Sequence, residues 1–334
     1  MKISVLGDGA WGTALAMVLA GNGHEVTIWG AFPDYLEEMA ETHVNSRFLK
    51  GVTLPDKLKF EADMAIAAKS DFLLIATPTQ YLRGVLQTLK PYFDPQRHAL
   101  INVAKGIENG TLQTIDTMCR EILGECRFCV LCGPSHAEEV ARQVPTAVVA
   151  ASSDRELAKT VRDLFINDTF RVYTSDDPVG VELGGALKNV MAVAAGIIDG
   201  MGLGDNPKAA LLTRGIAEMS RLGAAMGGNP ATFAGLSGVG DLIVTCTSGH
   251  SRNRYVGEQI GKGRKLADIQ AEMGMVCAEG VKTAVSAKEL ALKLGVDTPL
   301  VDAVYAILYE DKSPELAVRE LMTRKAKSED DFSA

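Results

Sequence analysis

Short β-branched and aliphatic runs alternate with longer mixed segments through the first half of the chain, and the alternation stops at Asp176-Asp177-Pro178. That rhythm is the mark of βα units wound around a parallel sheet. It predicts strands at 3–6, 26–29, 72–76, 99–103, 128–131, 147–150 and 170–173. Beyond the break the apolar spacing changes to threes and fours. Positions 179, 183, 187, 190, 191, 194, 197 and 198 give one long helix a broad core face, which predicts a central helix. A second helix is expected to open at Asn206-Pro207, with the amide as N-cap and the proline at the first helical position, and to run towards Gly227. Further helices are expected over 253–260, 279–294, 299–309 and 314–325. The predicted organisation is a sheet domain over 1–175 and an all-helical domain over 176–334, with a frayed polar end from Ser328 to Ala334.

Composition narrows the function class. The 334 residues are 47% hydrophobic and 23% charged, enough apolar material for two packed cores. A net charge of -8 argues against nucleic acid or an anionic membrane surface as partner, so an anionic ligand needs a local cationic cluster. No uninterrupted apolar run of membrane-spanning length and no signal-peptide pattern is present, so no integral membrane segment and a cytoplasmic location are expected. Six cysteines do not make a disulfide scaffold in a chain this long. Cys126, Cys129 and Cys132 stand at C-x-x-C-x-x-C spacing, but on a strand Cys129 and Cys132 face opposite sides, so no metal is expected.

Directly after the first strand comes Gly7-Asp8-Gly9-Ala10-Trp11-Gly12, a G-x-G-x-x-G that opens a helix. Gly7 permits the tight turn, Gly9 lets a pyrophosphate approach the backbone, and Gly12 lets the helix pack on the sheet with its positive end towards the phosphates. Strand, turn and helix together read as a Rossmann-type dinucleotide site. An acid usually closes the second strand of an NAD site, whereas here the chain reads Trp29-Gly30-Ala31-Phe32-Pro33. The choice between NAD and NADP therefore stays open, with Phe32 placed against an adenine.

A dehydrogenase also needs a group that handles the hydroxyl proton and a cradle for the rest of the substrate. Lys188 shares a stripe with Gly184, Ala192 and Ala195 on the central helix, a cation on a face of small side chains that leaves room for a ligand. The run from Ser237 to Thr247 carries glycines before Asp241, a sharp turn that delivers a carboxylate. Ser251 caps the helix that follows and sets Arg252 and Asn253 at its positive end, a seat for phosphate. Lys105 and the segment Gly133-Pro134-Ser135-His136-Ala137 each follow a strand of the sheet, where ligands bind in α/β folds. Lys105 is placed to approach both substrate and Lys188. His136, beside Glu138 and Glu139, reads as an exposed helix start and ranks below Lys188 as a catalyst.

These segments also carry a resemblance. G-D-G-A-W-G-T-A-L-A, N-V-A-K-G-I-E, C-G-P-S-H-A-E-E, G-V-E-L-G-G-A-L-K-N-V, L-T-R-G-I-A-E-M-S-R-L-G and the run from Gly238 to Asn253 occur in order over nearly the whole chain. Together they resemble the bacterial NAD(P)-dependent glycerol-3-phosphate dehydrogenases. The resemblance implies reversible hydride transfer between nicotinamide and carbon 2 of sn-glycerol 3-phosphate or dihydroxyacetone phosphate, in support of phospholipid synthesis, by a cytoplasmic homodimer acting on a small phosphorylated substrate. It implies Lys188 as proton acceptor, aided by Lys105 and Asp241. It implies substrate contacts from Lys105, Gly133, Ser135, Asp241, Ser251, Arg252 and Asn253, and cofactor contacts from Ala10, Trp11, Ala31, Lys105, Ala137, Arg252 and Glu279. Two departures stand out. Ala31 replaces the family's usual His or Arg, and the loop before Glu279, Val276-Cys277-Ala278, has one residue more than the usual pattern. The nearest rival readings are a β-hydroxyacid or 6-phosphogluconate type dehydrogenase and a non-catalytic NAD(P)-sensing protein.

Overall fold

A computed structural model describes residues 1–275, 277–326, 328 and 329. The chain divides into two compact units, one of Met1–Ala104 with Thr114–Pro178, the other of Lys105–Gln113 with the chain from Val179 onward. The loop that carries Lys105 thus belongs with the helices.

The first unit runs β1 (Lys2–Leu6), α1 (Ala10–Gly21), β2 (Glu25–Trp29), α2 (Pro33–Thr42), β3 (Val44–Asn45), β4 (Leu49–Thr53), β5 (Lys59–Glu61), α3 (Met64–Ala67) and β6 (Phe72–Ile75). It continues with α4 (Thr79–Leu89), β7 (Ala99–Asn102), α5 (Ile115–Leu123), β8 (Arg127–Cys132), α6 (Ala137–Ala141), β9 (Thr146–Ala151), α7 (Arg155–Phe165) and β10 (Phe170–Ser175). Eight strands make one sheet in the order β10-β9-β8-β7-β6-β1-β2-β5, and β3 pairs with β4 apart from it. All seven predicted strands are present.

The sheet is parallel as expected except at one junction. β9 pairs antiparallel with β8, Val130 opposite Ala151 and Cys132 opposite Val149, and β10 is parallel to β9, so the last two strands run against the rest. The helix in the connection is short: the five-residue α6 rises only about 8 Å against the roughly 20 Å of a six-residue strand, too little to carry the chain back along the sheet for a parallel return.

The second unit contains α8 (Pro178–Gly200), α9 (Asp205–Ala225), α10 (Asp241–Thr247), α11 (Arg252–Gly261), α12 (Leu266–Met273), α13 (Glu279–Leu294), α14 (Pro299–Tyr309) and α15 (Pro314–Met322). By length and composition α8 passes for a membrane span, yet 94% of its most apolar window is buried in protein, which makes it a core helix. Glycines let it lie directly on α11. A Cβ at Gly196 would come within 2.0 Å of the Arg254 carbonyl oxygen, and one at Gly257 within 2.0 Å of that of Val193. α9 is not capped by Asn206 as expected. Gly204, at φ 85°, precedes its first residue, Asp205, and Pro207 sits in the first turn, where the missing amide is no loss. α15 stops at Met322, three residues short of the expected end. Residues 330–334, most of the polar end, lie outside the described residues, as do Lys327 and, in the loop before Glu279, Val276.

Candidate active site

In the sheet unit, the turn after β1 has the shape the glycines predict. Gly7 has φ +132°, and a Cβ there would lie 2.8 Å from the Ala76 carbonyl carbon. A Cβ at Gly12 would lie 2.5 Å from the Gly7 carbonyl oxygen, so both positions admit no side chain. At Gly9 a Cβ would meet nothing within 4 Å. α1 begins at Ala10 with Gly9 as N-cap and no side chain satisfying its first amides. This is a cradle of backbone donors with open space before it, and it fits a pyrophosphate. Trp11, half-buried, keeps its indole N–H buried and without a hydrogen-bond partner. Ala31 and Phe32 are both exposed just beyond β2.

Gly133 follows β8 at φ +152°, with a would-be Cβ 2.9 Å from Val148 Cα. The Ser135 hydroxyl donates to the Gly133 carbonyl at 2.9 Å, and Ala137 opens α6. His136 is half-buried rather than exposed.

The helical unit gathers the charged residues singled out in the sequence. Lys188 is 6% exposed and Asp241 1%. The Lys188 ammonium donates to Asp241 Oδ1 at 2.9 Å and to the Thr245 hydroxyl at 2.6 Å. Lys105 Nζ donates to the other carboxylate oxygen, Oδ2, at 2.6 Å. Asp241 is therefore a bridge with one cation on each oxygen. Burial alone would push its carboxyl up, but the charges and hydrogen bonds of Lys105 and Lys188 outweigh that and hold it below the usual carboxylate range. The turn Leu236–Gly240 ahead of it is a single wide π-turn, which rotates Asp241 inward as the first residue of α10. One turn on, the Thr245 hydroxyl donates to the Asp241 carbonyl at 2.6 Å.

The small-residue stripe does a different job from the one expected. A Cβ at Gly184 would lie 2.6 Å from the Ser237 carbonyl oxygen, so the space beside Lys188 admits the backbone that carries Asp241. Asn189, the next residue on α8, ties in the rest. Its amide donates to the Lys105 carbonyl at 3.1 Å and accepts from Asn253 at 2.8 Å, while Asn253 Oδ1 accepts from the Gly280 amide at 2.9 Å. Asn253 is thus largely engaged internally. Ser251 caps α11 by accepting the Arg254 amide at 3.2 Å, as predicted. Arg252 is exposed in the first turn and donates to the Cys277 carbonyl at 3.4 Å, and Glu279 begins α13. Thr245 and the ties of Asn189 to Lys105 and Asn253 were missed by the sequence reading. The four-residue step from Asp241 to Thr245 on one helix was the available signal for the first.

Cys126, Cys129 and Cys246 are pushed up by burial to about 11, 12 and 12 respectively, which keeps their thiols protonated. Among the described residues no group of three His, Cys, Asp or Glu side chains is arranged to hold a metal ion.

Residues 2–158 match the model of the NAD-dependent glycerol-3-phosphate dehydrogenase N-terminus, and residues 177–319 that of its C-terminus. The chain is 54% identical over 332 residues to the glycerol-3-phosphate dehydrogenase of Geobacter metallireducens, with 98% of each chain covered. It is 48% identical to that of Enterococcus faecalis, with 99% of this chain and 98% of the relative covered. The crystal structure of the Coxiella burnetii glycerol-3-phosphate dehydrogenase superposes with a TM-score of 0.93 at 38% identity, covering 97% of this chain and 99% of the other. D-mandelate dehydrogenase, at 15% identity and a TM-score of 0.64, shares the fold alone. The chain belongs to the NAD-dependent glycerol-3-phosphate dehydrogenase family and is an oxidoreductase that uses NAD or NADP.

Proposed function

We propose that Lys188 moves the proton in a reversible hydride transfer between NAD(P)(H) and carbon 2 of sn-glycerol 3-phosphate or dihydroxyacetone phosphate. One observation supports this above the others: a nearly buried ammonium on the central helix, held by Asp241 Oδ1 and Thr245 instead of being released to solvent. The nicotinamide, when bound, exchanges the hydride with carbon 2. Lys188 gives its proton to the ketone oxygen as that oxygen becomes an alcohol, and recovers it in the reverse direction. Lys105 stabilises the negative charge that develops on the same oxygen. Asp241 stays anionic between the two amines and sets their positions, and the Thr245 hydroxyl fixes a second N–H direction of Lys188.

The phosphate is assigned to the start of α11. Arg252 supplies an exposed guanidinium there, Ser251 orders the first turn, and Asn253 holds that turn to Asn189 and Gly280. In the sheet unit, Gly7, Gly9, Ala10, Trp11 and Gly12 are assigned to the dinucleotide. The reading extends to supply of glycerol 3-phosphate for phospholipid synthesis, a cytoplasmic location and a homodimer. Family membership supports the first of these.

Initial rates of NADH and NADPH oxidation with dihydroxyacetone phosphate, set against oxidation rates with 6-phosphogluconate and 3-hydroxy acids, test the substrate. Turnover is expected with the triose phosphate. Faster turnover with either rival substrate would overturn the assignment.

A further inference from the structure

The end of β2 carries no acid, yet a carboxylate stands beside it. A Cβ at Gly30 would lie 2.7 Å from Oδ2 of Asp8, the second residue of the glycine turn. A side chain at position 30 would have to displace the Asp8 carboxylate, which reaches that place from the turn after β1. Oδ2 is buried and has no hydrogen-bond partner, and Asp8 as a whole is half-buried. A buried acceptor without a donor is costly, and rotation about Cβ–Cγ lets the group present an oxygen to an incoming hydroxyl. The backbone beneath is fixed: the Asp8 carbonyl accepts from the Asn45 amide at 2.8 Å, and Asn45 Oδ1 accepts from the Tyr35 hydroxyl at 2.6 Å. The nearby cation is Arg47, whose guanidinium lies over the Tyr35 ring 4.0 Å from its centroid.

In this fold the acid at the end of the second strand accepts the adenosine ribose 2′-hydroxyl and disfavours a 2′-phosphate. We propose that Asp8 is the ribose-reading residue of this chain, delivered from the glycine turn instead of from β2, and that it makes the protein prefer NAD over NADP. The inference rests on the placement of the dinucleotide at the glycine turn. Arg47 is the competing group, since a guanidinium at this edge attracts a 2′-phosphate.

The test is binding, not turnover: fluorescence titration of the full-length protein with NADH and with NADPH, without substrate. Wild type is expected to bind NADH at least about tenfold more tightly, the effect of one charge-assisted hydrogen bond. Asp8→Asn, and Asp8→Ser measured beside it in case one variant folds poorly, should bring the two affinities within about threefold, while Arg47→Ala leaves NADH affinity unchanged. Equal affinities in wild type, or an unchanged ratio in both Asp8 variants, would overturn the proposal. A tenfold shift confined to Arg47→Ala would overturn it too, in favour of the arginine. Failure of wild type to bind either nucleotide would sink the dinucleotide placement itself, a separate and recognisable result.

Discussion

Lys188 and Asp241, 53 residues apart in the chain, meet at 2.9 Å inside the helical unit, and neither has meaningful exposure to water. A lysine at this depth is stable only when paired, so the pair fixes where the ammonium sits before any substrate arrives. Lys188→Ala is expected to lower kcat by at least about 100-fold, the low end for a lost acid-base catalyst. The glycine turn proposed for the dinucleotide belongs to the sheet unit, so NADH affinity measured by fluorescence should stay near wild type. Near-normal kcat in the variant would refute the role.

Asp241→Asn should act on stability as well as rate. It leaves Lys105 and Lys188 in place without the charge that compensates them, and breaking a buried ion pair from one side costs about 3–5 kcal/mol. The sign with pH follows from the depressed carboxyl. Its contribution is complete above the ordinary value of 3.8 and is lost only as the pH falls through the lower value of the folded state. Urea denaturation at pH 7 and pH 3 measures both effects. The wild-type advantage should be large at pH 7 and shrink at pH 3, and equal stability of the two proteins at pH 7 would contradict the bridge.

Much of this was legible beforehand because periodicity and turn chemistry are local. The strand and helix pattern, the glycine turn and the Ser251 cap all follow from residues within a few positions of each other. What the chain did not announce depends on distant partners. Gly184 reads as open space from its own helix, and only the fold shows Ser237 filling it. The reversal of β9 follows from the shortness of α6, and the internal role of Asn253 from Asn189 and Gly280, residues 64 and 27 positions away. Asp8 likewise passes as a filler between glycines until Gly30 is placed beside it.

Gly184→Ala tests the packing that delivers Asp241. The added methyl would meet the Ser237 carbonyl at 2.6 Å, backbone that cannot rotate away, so the π-turn or α8 must shift. Overpacking of this kind costs about 1–3 kcal/mol. The expected signature is a fall in kcat larger than any change in KM, since Asp241 and Lys188 move relative to each other. A variant with wild-type kcat and wild-type melting temperature would show that the contact is looser than the geometry states.

Glu218 on α9 provides a second pH test, away from the charged cluster. It is 3% exposed, lines a mostly apolar cavity of about 420 Å³, and accepts the Leu300 amide at 2.8 Å and the Val301 amide at 3.3 Å at the start of α14. Burial pushes its carboxyl up to about 8, and the two amides recover only part of the shift. Below the ordinary value of 4.5 the group is protonated in folded and unfolded chains alike, so it takes no stability away. Between 4.5 and about 8 the unfolded chain ionises while the folded one keeps its proton, and stability falls by about 1.4 kcal/mol per pH unit. Glu218→Gln removes that titration and keeps an oxygen for the Leu300 amide. Denaturant midpoints at pH 5 and pH 8 should therefore show the variant gaining on wild type as the pH rises, by a few kcal/mol over the interval. Parallel profiles would mean that the carboxylate is charged in the folded protein, with water or an unseen cation reaching the start of α14.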